Sequence, residues 1–350
     1  MNTSYSAISE WRLCQQRYWY TYIEGLEPII ADPAPTLGRL LHRYLERYYL
    51  LLASETPLAA HSEALQLTAD EFEPQLANLV AAATTAGQDE VATALSQVAG
   101  KAWRIIERYH RTRGASDASD HDVLLAEKRL VFPLTSSVTN VSVVDLVTQK
   151  RSDGSNWLWE HKTTGSIPRQ ARRLKDLQVT VLAAMLEEAE GIHVDGVIWN
   201  YLRTQEPTVP RLLQDGTLTK RPDLNSTWET YLVEIARNKL DPNDYRDVEE
   251  RFSGKEERDF FSRIELPLVQ SEQILLRDFI ATARQLETIT TLGGVYIPVR
   301  NIGTHCDWCP YSKLCEAAIT GGDSEELQAK LFRQRARREQ EAVKEDARAG

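Results

Sequence analysis

VTNVSVVDLVTQKRSDGSNWLWEHKT, residues 138–163, is the stretch of the chain that decides the fold. It contains two runs rich in β-branched and aromatic residues, Val138–Gln149 and Trp157–Thr163. Ser, Asp and Gly residues at 152–155 separate the two runs, and this composition is typical of a tight turn. We therefore predict two neighbouring strands joined as a hairpin, each with charged residues inside or beside an apolar run.

The charged residues of this hairpin are Asp145, in the run VVDLV, and Glu160 and Lys162, in WEHKT. Residues i and i+2 of a strand share a face, so Glu160 and Lys162 should point the same way, whereas His161 should point away. Pairing of the strands would bring Asp145 beside them. Two carboxylates at one point can bind Mg²⁺ or Mn²⁺, and an adjacent ammonium can orient an attacking water.

A solvated charge pair between strands is the ordinary interpretation of such a Glu-x-Lys pattern. A lone aspartate inside an apolar strand favours the metal site, since a buried carboxylate is costly unless it is paired or bound to metal.

Helices are predicted before the hairpin and a mixture of strands and helices around it. Apolar residues at helical spacing predict the helices Leu37–Leu52, Ala69–Ala86 and Glu90–Arg113, and Gly114–Asp122 reads as a polar break. Further strands are expected at Val123–Phe132 and Val194–Arg203, with a helix at Arg169–Glu190 between the hairpin and the last strand. This order predicts an α/β protein with a mixed central sheet flanked by helices.

The C-terminal half is less regular. Residues 204–255 are rich in Pro, Asp, Asn and Thr, and we interpret them as an insertion with one short helix near Trp228–Lys239. A strand at Phe260–Leu268 and a helix at Ser271–Thr290 should follow, and Glu325–Ala347 reads as a charged helix, solvated or frayed.

These elements divide the chain into five segments. We expect a helical N-terminal region, a core sheet and helix, an insertion with accessory helices, a cysteine segment and a charged tail, at residues 1–118, 119–204, 205–300, 301–322 and 323–350.

Composition excludes several classes of protein. The 350 residues are 42% hydrophobic and 26% charged, as in a soluble globular protein, and no apolar run is long enough to cross a membrane. The N-terminus lacks a secretory pattern, so we expect a cytoplasmic protein. A net charge of −10 argues against a protein that coats nucleic acid, but allows an enzyme that binds DNA in a local basic groove.

The four cysteines are Cys14 and the compact group Cys306-x-x-Cys309-x5-Cys315. Without an export signal they argue against a disulfide scaffold. Four thiolates can hold a 4Fe–4S cluster or a tetrahedral zinc, and unliganded thiols are the third interpretation. Structural zinc sites tend to pair two short Cys-x-x-Cys knuckles, and the split of one plus three does not fit that pattern.

Seven sequence motifs together resemble the PD-(D/E)XK nuclease superfamily. They are SYSAISEWRLCQQRYWYTYIEGL, GRLLHRYLE, AEKRLVF, VVDLV, WEHKTT, DLQVTVLAAML and CDWCPYSKLC, in this order along the chain. The nearest resemblance is to the RecB/AddB-type and CRISPR-adaptation exonucleases, including phage-encoded relatives. It implies a restriction-endonuclease-like core and a 4Fe–4S staple, held by Cys14, Cys306, Cys309 and Cys315, that joins the N- and C-terminal segments.

The resemblance also implies roles for single residues. His42, in Gly38-x-x-x-His42, matches a metal-binding histidine, Asp145 and Glu160 match the metal carboxylates, and the backbone carbonyl of His161 is a further ligand of the same kind. Lys162 matches the catalytic lysine.

Two further residues match less specific positions. Glu127 matches an acidic position on the preceding strand, where a surface charge explains it equally well. Gln178 matches the start of a Gln-x-x-x-Tyr motif that faces the active site, but Leu182 stands where the tyrosine is expected. The glycine usual two residues before the strand aspartate is Val143 here.

A basic run lies just before Gln178. Its members, which either bind phosphate or form a solvated helix face, are Arg169, Arg172, Arg173 and Lys175.

The resemblance therefore implies a Mg²⁺- or Mn²⁺-dependent deoxyribonuclease, an exonuclease of recombination, repair or phage DNA processing. Its substrate would be single-stranded DNA or duplex ends, its partners recombination or replication proteins, and its location the cytoplasm, that of the host if the gene is phage-encoded. The alternative is a catalytically weak DNA-binding subunit or scaffold with a nuclease fold.

Overall fold

A computed structural model describes residues 2–168, 176–268, 272–291 and 296–335. Eight strands are present there: β1 Asn2–Thr3, β2 Leu26–Pro28, β3 His121–Pro133, β4 Thr139–Lys150, β5 Asn156–Thr164, β6 Gly196–Arg203, β7 Arg263–Pro267 and β8 Phe332–Gln334. The α-helices of the first half are α1 Tyr5–Leu13, α2 Gln15–Tyr18, α3 Pro33–Leu52, α4 Pro57–Thr85, α5 Asp89–Ser96 and α6 Val98–Asp120. Those of the second half are α7 Leu177–Glu190, α8 Trp228–Arg237, α9 Arg246–Phe252, α10 Glu272–Thr291, α11 Ser312–Thr320 and α12 Ser324–Leu331.

A six-stranded mixed sheet forms the centre, in the order β1-β4-β5-β6-β7 with β3 on the other edge of β4. Strands β3, β4 and β5 are antiparallel neighbours, β5 and β6 run parallel, and β7 returns antiparallel to β6. The predicted α/β class with a mixed sheet flanked by helices is confirmed.

Two hydrophobic layers cover the two faces of the sheet. On one face α1, α7 and α10 pack on Leu158 and Trp199, and on the other α3, α4 and α6 pack on Trp159 and Ile198. Successive residues of β5 therefore enter opposite layers, as strand alternation requires. The sheet is buried on both sides, so a charged residue placed on a central strand is removed from water.

Helix α3 crosses the second face beside β5. Asp32 caps its first turn by accepting the N–H of Ala34 at 2.9 Å, and Pro33 occupies the first position, where no donor is needed. Apolar residues at a spacing of three and four, from Leu37 to Tyr49, face the sheet.

Two predicted boundaries in the helical region are wrong. The segment Glu90–Arg113 is two helices, α5 and α6, and α6 continues to Asp120 through the predicted polar break at Gly114–Asp122. Glycine and polar residues end helices in water, but here Asp117 is buried and ion-paired with Arg263. A tertiary contact thus overrides the local signal.

Smaller differences occur elsewhere. Helix α4 begins at Pro57, before the predicted Ala69, and β7 is shorter than Phe260–Leu268 because Glu256–Phe260 forms a helical turn. The charged helix predicted at Glu325–Ala347 ends at Leu331, since the chain then pairs as β8 with β2.

Residues 204–255 contain the predicted helix, as α8, and a small hydrophobic core of their own, built from Leu218, Tyr231, Ile235, Tyr245, Val248 and Phe252. The division of the whole chain into five segments stays a prediction. No helix in the described part of the chain combines the length and the hydropathy that crossing a bilayer requires.

Candidate active site

The site lies where β4 and β5 separate. Their pairing is regular up to Leu146 and Trp159 and does not extend to the next pair, Asp145 and Glu160. The backbone N–H of His161 donates instead to Asp145 Oδ2 at 2.9 Å. A carboxylate thus replaces the carbonyl that would continue the ladder, and the sheet opens at this point.

Glu160, Lys162 and Gln178 meet on the face covered by α7. Lys162 Nζ donates to Glu160 Oε1 at 2.5 Å and to Gln178 Oε1 at 3.1 Å. Gln178 stands in the first turn of α7, where Asp176 accepts its backbone N–H at 2.9 Å. The helix cap therefore sets the position from which Gln178 reaches the lysine.

Of the two carboxylates, Glu160 is buried and Asp145 is partly buried, with 15% of its side chain exposed. Glu160 is 2% exposed, and its Oε2 has no hydrogen-bond partner among the described residues. Burial raises the pKa of Asp145, and burial followed by the charge of Asp145 raises the pKa of Glu160. An unpartnered buried oxygen beside a second carboxylate fits a divalent cation, which prefers oxygen ligands.

His42 reaches the same point from α3. Its Nδ1 lies 4.0 Å from Asp145 Oδ2. Burial lowers the pKa of His42, and the charge of Glu160 and a hydrogen bond to the backbone of His161 partly offset this effect. These contacts place the histidine beside both Asp145 and the His161 backbone.

Gly38, one turn before His42, explains how the helix comes so close. A Cβ atom at residue 38 would lie 3.0 Å from Thr163 Oγ1 of β5, tighter than ordinary packing. The glycine therefore permits the approach that brings His42 to the sheet.

Glu127 faces the site from β3. Its neighbours Ala126 and Lys128 pair with Leu146 and Val144, so Glu127 stands opposite Asp145. Its φ of 47° lies in the left-handed region, a strained conformation for a residue with a Cβ. Burial, followed by the charge of Asp145, raises the pKa of Glu127 to about 8.

Two charged residues at this edge were missed in the sequence. Arg43 and Glu46 form an ion pair on α3, and their charges act on Glu127 in opposite directions. Both closely follow His42 in the sequence, and this is the signal that could have identified them.

Other predicted residues fall elsewhere. Arg169, Arg172, Arg173 and Lys175 lie outside the described residues. Leu182, at the position of the expected tyrosine, is 1% exposed in the core, so no side chain at that position faces solvent. Val143 is exposed on β4.

The four cysteines line one cavity of about 220 Å³. Burial raises the pKa of the Cys309 thiol, and the proximity of Cys14 and Cys306 raises it further, against lowering effects of the Tyr311 backbone and Arg17. Four sulfur donors therefore line one cavity. No three Cys, His, Asp or Glu side chains form a closed ligand set in the part of the chain that the structure describes, at this cavity or at the carboxylates.

Ordinary contacts already join the chain ends around this cavity. The N–H of Gln16 donates to the Val299 carbonyl at 3.2 Å, and Asn301 Nδ2 donates to the Leu13 carbonyl at 2.9 Å. Tyr311 Oη donates to the Leu26 carbonyl at 2.8 Å. The predicted junction between N- and C-terminal segments is therefore present, and the iron–sulfur staple stays a prediction.

Comparison with known families gives one match. The sequence model of the PD-(D/E)XK nuclease superfamily matches residues 2–316, which include the carboxylate site and all four cysteines. A comparison with curated proteins gives no match. The family match does not distinguish the RecB/AddB-like branch, and nucleases of this superfamily typically use Mg²⁺ or Mn²⁺. Because the match extends over nearly the whole length, the chain belongs to the PD-(D/E)XK nuclease superfamily.

Proposed function

We propose that this protein is a metal-dependent DNA nuclease that hydrolyses phosphodiester bonds as an exonuclease, on single-stranded DNA or duplex ends. The observation that carries the proposal is the buried Glu160 beside the partly buried Asp145. One Glu160 oxygen has no hydrogen-bond partner among the described residues, and the other accepts from the ammonium of Lys162. Carboxylates and an ammonium in this arrangement suit a reaction in which negative charge develops on a phosphate.

The metal ligands would be Asp145, Glu160, His42 and the backbone carbonyl of His161, with Glu127 as an additional carboxylate on the β3 side. A bound Mg²⁺ or Mn²⁺ supplies a Lewis acid that polarises the phosphate and lowers the pKa of water.

Lys162 acts as a cation. Burial is the largest single effect and lowers its pKa, but the charge of Glu160, its hydrogen bond to the ammonium and the charges of Asp176 and Asp145 together outweigh burial, and the net effect is a raised pKa. Glu160 and Gln178 occupy two of its three N–H groups, and the third is directed to the attacking water or the scissile phosphate. Gln178 thereby holds the ammonium in a fixed direction.

The same proposal assigns a 4Fe–4S cluster to Cys14, Cys306, Cys309 and Cys315. Its support is the shared cavity and the split of the cysteines between the two chain ends. Hydrolysis of a phosphodiester needs no electron transfer, so its role would be to hold the ends together. A brown protein with iron in metal analysis supports the cluster, and a colourless protein with zinc refutes it.

Recombination, repair or phage DNA processing are the processes in which such a nuclease would act, with recombination or replication proteins as partners. These assignments rest on the resemblance to RecB/AddB-type exonucleases alone.

The decisive test is cleavage of end-labelled single- and double-stranded DNA of both polarities, with Mg²⁺ or Mn²⁺ and protein purified without oxygen. We expect shortening from an end with the wild-type protein, no cleavage with EDTA, and much slower cleavage with a folded Lys162→Ala variant. Cleavage by Lys162→Ala at the wild-type rate would show that the assignment is wrong.

Leu182 favours a second candidate function, a DNA-binding subunit or scaffold of low activity. Its buried aliphatic side chain replaces the tyrosine that completes the substrate-facing motif in relatives. This alternative predicts that the protein binds labelled DNA in the same assay without shortening it, whichever metal is present.

A further inference from the structure

A row of three polar residues crosses the sheet on the face opposite Glu160 and Lys162. His161 on β5 pairs with Asn200 on β6, and Asn200 pairs with Arg263 on β7. Directly paired residues of neighbouring strands point to the same face, so the three side chains lie side by side under α3 and α6. His161 is 2% exposed and Asn200 is fully buried.

The direction of each hydrogen bond in this row follows from Arg263, because a guanidinium only donates. Arg263 Nε donates to Asn200 Oδ1 at 3.3 Å, which leaves the amide nitrogen of Asn200 facing the other way. That nitrogen lies 2.9 Å from His161 Nδ1. His161 Nδ1 must therefore accept, and the proton of the neutral ring is on Nε2.

A second branch leads from Arg263 to α6. Tyr109 Oη accepts from Arg263 Nη2 and from Asn200 Nδ2, both at 2.9 Å, and so its own proton is directed to Tyr49 Oη at 2.9 Å. Tyr49 Oη donates to Asp117 Oδ2 at 2.8 Å. Asp117 is in turn the ion-pair partner of Arg263, so the network returns to the arginine.

The ring of His161 is held by this network and by packing. The Tyr49 ring stacks on it with centroids 5.5 Å apart and an interplanar angle of 10°. The backbone of the same residue donates to Asp145, and it also lies within hydrogen-bond reach of His42. One residue thus joins the buried network on one side of the strand to the carboxylate site on the other.

We propose that Asn200 and Arg263 are positioning residues of the metal site: they fix the His161 ring, and through it the backbone atoms that orient Asp145 and face His42. This inference rests on the proposed function. Groups that orient ligands without touching the metal typically change its affinity by about 10- to 100-fold when they are lost.

A matched control can distinguish a positioning role of the network from a purely structural one. Arg108 and Glu256 form a second buried ion pair from the same helix, α6, with side-chain exposures of 14% and 4%, against 13% and 1% for Arg263 and Asp117. Arg108 contacts the rings of Phe260 and Phe261 and has no described contact with His161.

The experiment compares Arg263→Lys, Asn200→Leu and Arg108→Lys in the full-length protein. Lysine keeps the charge and loses the planar fork that reaches two acceptors at once. Melting temperature and circular dichroism show whether each variant is folded, and Mn²⁺ affinity is measured by titration without DNA. If Asn200→Leu does not fold, the comparison of Arg263→Lys with Arg108→Lys still tests the proposal.

We expect Mn²⁺ binding about tenfold weaker or more in Arg263→Lys and Asn200→Leu, with kcat lowered and KM for DNA unchanged. Arg108→Lys should bind Mn²⁺ as the wild type does, even if its melting temperature falls as far. Wild-type Mn²⁺ affinity in folded Arg263→Lys would overturn the proposal.

Nitrogen NMR of the histidines in metal-free protein gives an independent readout. The proton of His161 should be on Nε2 in the wild type, and Asn200→Leu should remove that preference. A proton on Nδ1 in the wild type would also overturn the proposal. If the wild type neither binds Mn²⁺ nor cuts DNA, the proposed nuclease function fails, whereas unchanged variants of an active wild type refute the positioning role alone.

Discussion

At the carboxylate site, the functional side chains stand on regular elements in the middle of the sheet, and Glu160 is 2% exposed. At the cysteine cavity, Cys14, Cys306 and Cys309 stand in or beside short helical turns near the two ends of the matched region, and all four thiols are partly exposed. Strands and packed helices keep a site in place without a ligand. At the cavity, hydrogen bonds, the pairing of β2 with β8 and a small hydrophobic cluster join segments from the two ends of the described chain.

The difference is also one of charge. Asp145 and Glu160 are two acidic groups beside the ammonium of Lys162, and burial raises the pKa of both carboxyls. At the cavity, burial raises the pKa of Cys309 and so favours the neutral thiol until a metal binds. We therefore expect substitutions at the first site to affect the reaction, and those at the second to affect stability.

The largest expected effect is on catalysis. Lys162→Ala should lower the cleavage rate by roughly 100- to 1,000-fold, as removal of one charge-stabilising donor typically does. The protein should stay folded, because Glu160 can take up a proton when its partner is lost. The measurement is the single-turnover rate with saturating Mn²⁺.

Lys150→Ala is the control for this prediction. Lys150 pairs with Glu265 at 2.5 Å near one end of β4, on a partly exposed part of the sheet. Its loss should leave the rate unchanged, and an equal loss of rate in both variants would contradict a specific role for Lys162.

At the cysteine cavity, Cys309→Ser should lower the free energy of unfolding. A link between Cys14 and Cys309 closes a loop of nearly the full chain length, and loop-closure entropy gives about 5–6 kcal/mol for such a link. Denaturant unfolding measures the loss, and limited proteolysis should cut near residues 296–335 in the variant. If Cys309→Ser unfolds with the wild-type free energy, no staple is present.

Gln178→Ala should have a smaller effect on the rate, about tenfold. It removes one hydrogen bond to the ammonium of Lys162, and the ion pair with Glu160 remains. The rate should fall without a change in Mn²⁺ affinity, which separates this residue from the metal ligands. A wild-type rate would show that Gln178 does not orient the lysine.

The smallest expected effect is a pH dependence of stability in metal-free protein. The pKa of Glu127 is raised from 4.5 to about 8, first by burial, so the folded state binds its proton more tightly than the unfolded state. The resulting stability is fully present below 4.5 and is lost as the pH rises through about 8. As the pH rises from 4.5 to about 8, the melting temperature of the wild type should therefore fall by more than that of Glu127→Gln.

The exposed Glu55 provides the control, since the melting temperature of Glu55→Gln should change with pH as that of the wild type does. Parallel melting curves for the wild type and Glu127→Gln would contradict the burial of the Glu127 carboxyl.

Much of the fold was predictable because it rests on local patterns. Apolar runs with polar breaks predicted β4, β5 and β6, and apolar residues at helical spacing predicted α3 and α7. The pattern Gly38-x-x-x-His42 also pointed to a residue that lies beside Asp145.

The errors have one physical cause. Asp117 lies in a segment whose composition indicates a loop, but a buried ion pair with Arg263 keeps it helical. Within the predicted C-terminal helix, Phe332–Gln334 likewise forms β8, because Leu26–Pro28 offers an edge to pair with. Neither partner is near in sequence, so no local pattern reveals the contact.

By itself the sequence singled out three candidate site residues, Asp145, Glu160 and Lys162, because strand alternation and residue type are local properties. Only the tertiary structure decided that Asp145 accepts the His161 N–H and that Glu127 stands opposite it in a strained conformation. The tertiary structure also placed Asn200 and Arg263 beside the His161 ring, on the face of the sheet opposite Glu160 and Lys162. These contacts depend on the register between distant strands, and register follows from the packing of the whole sheet.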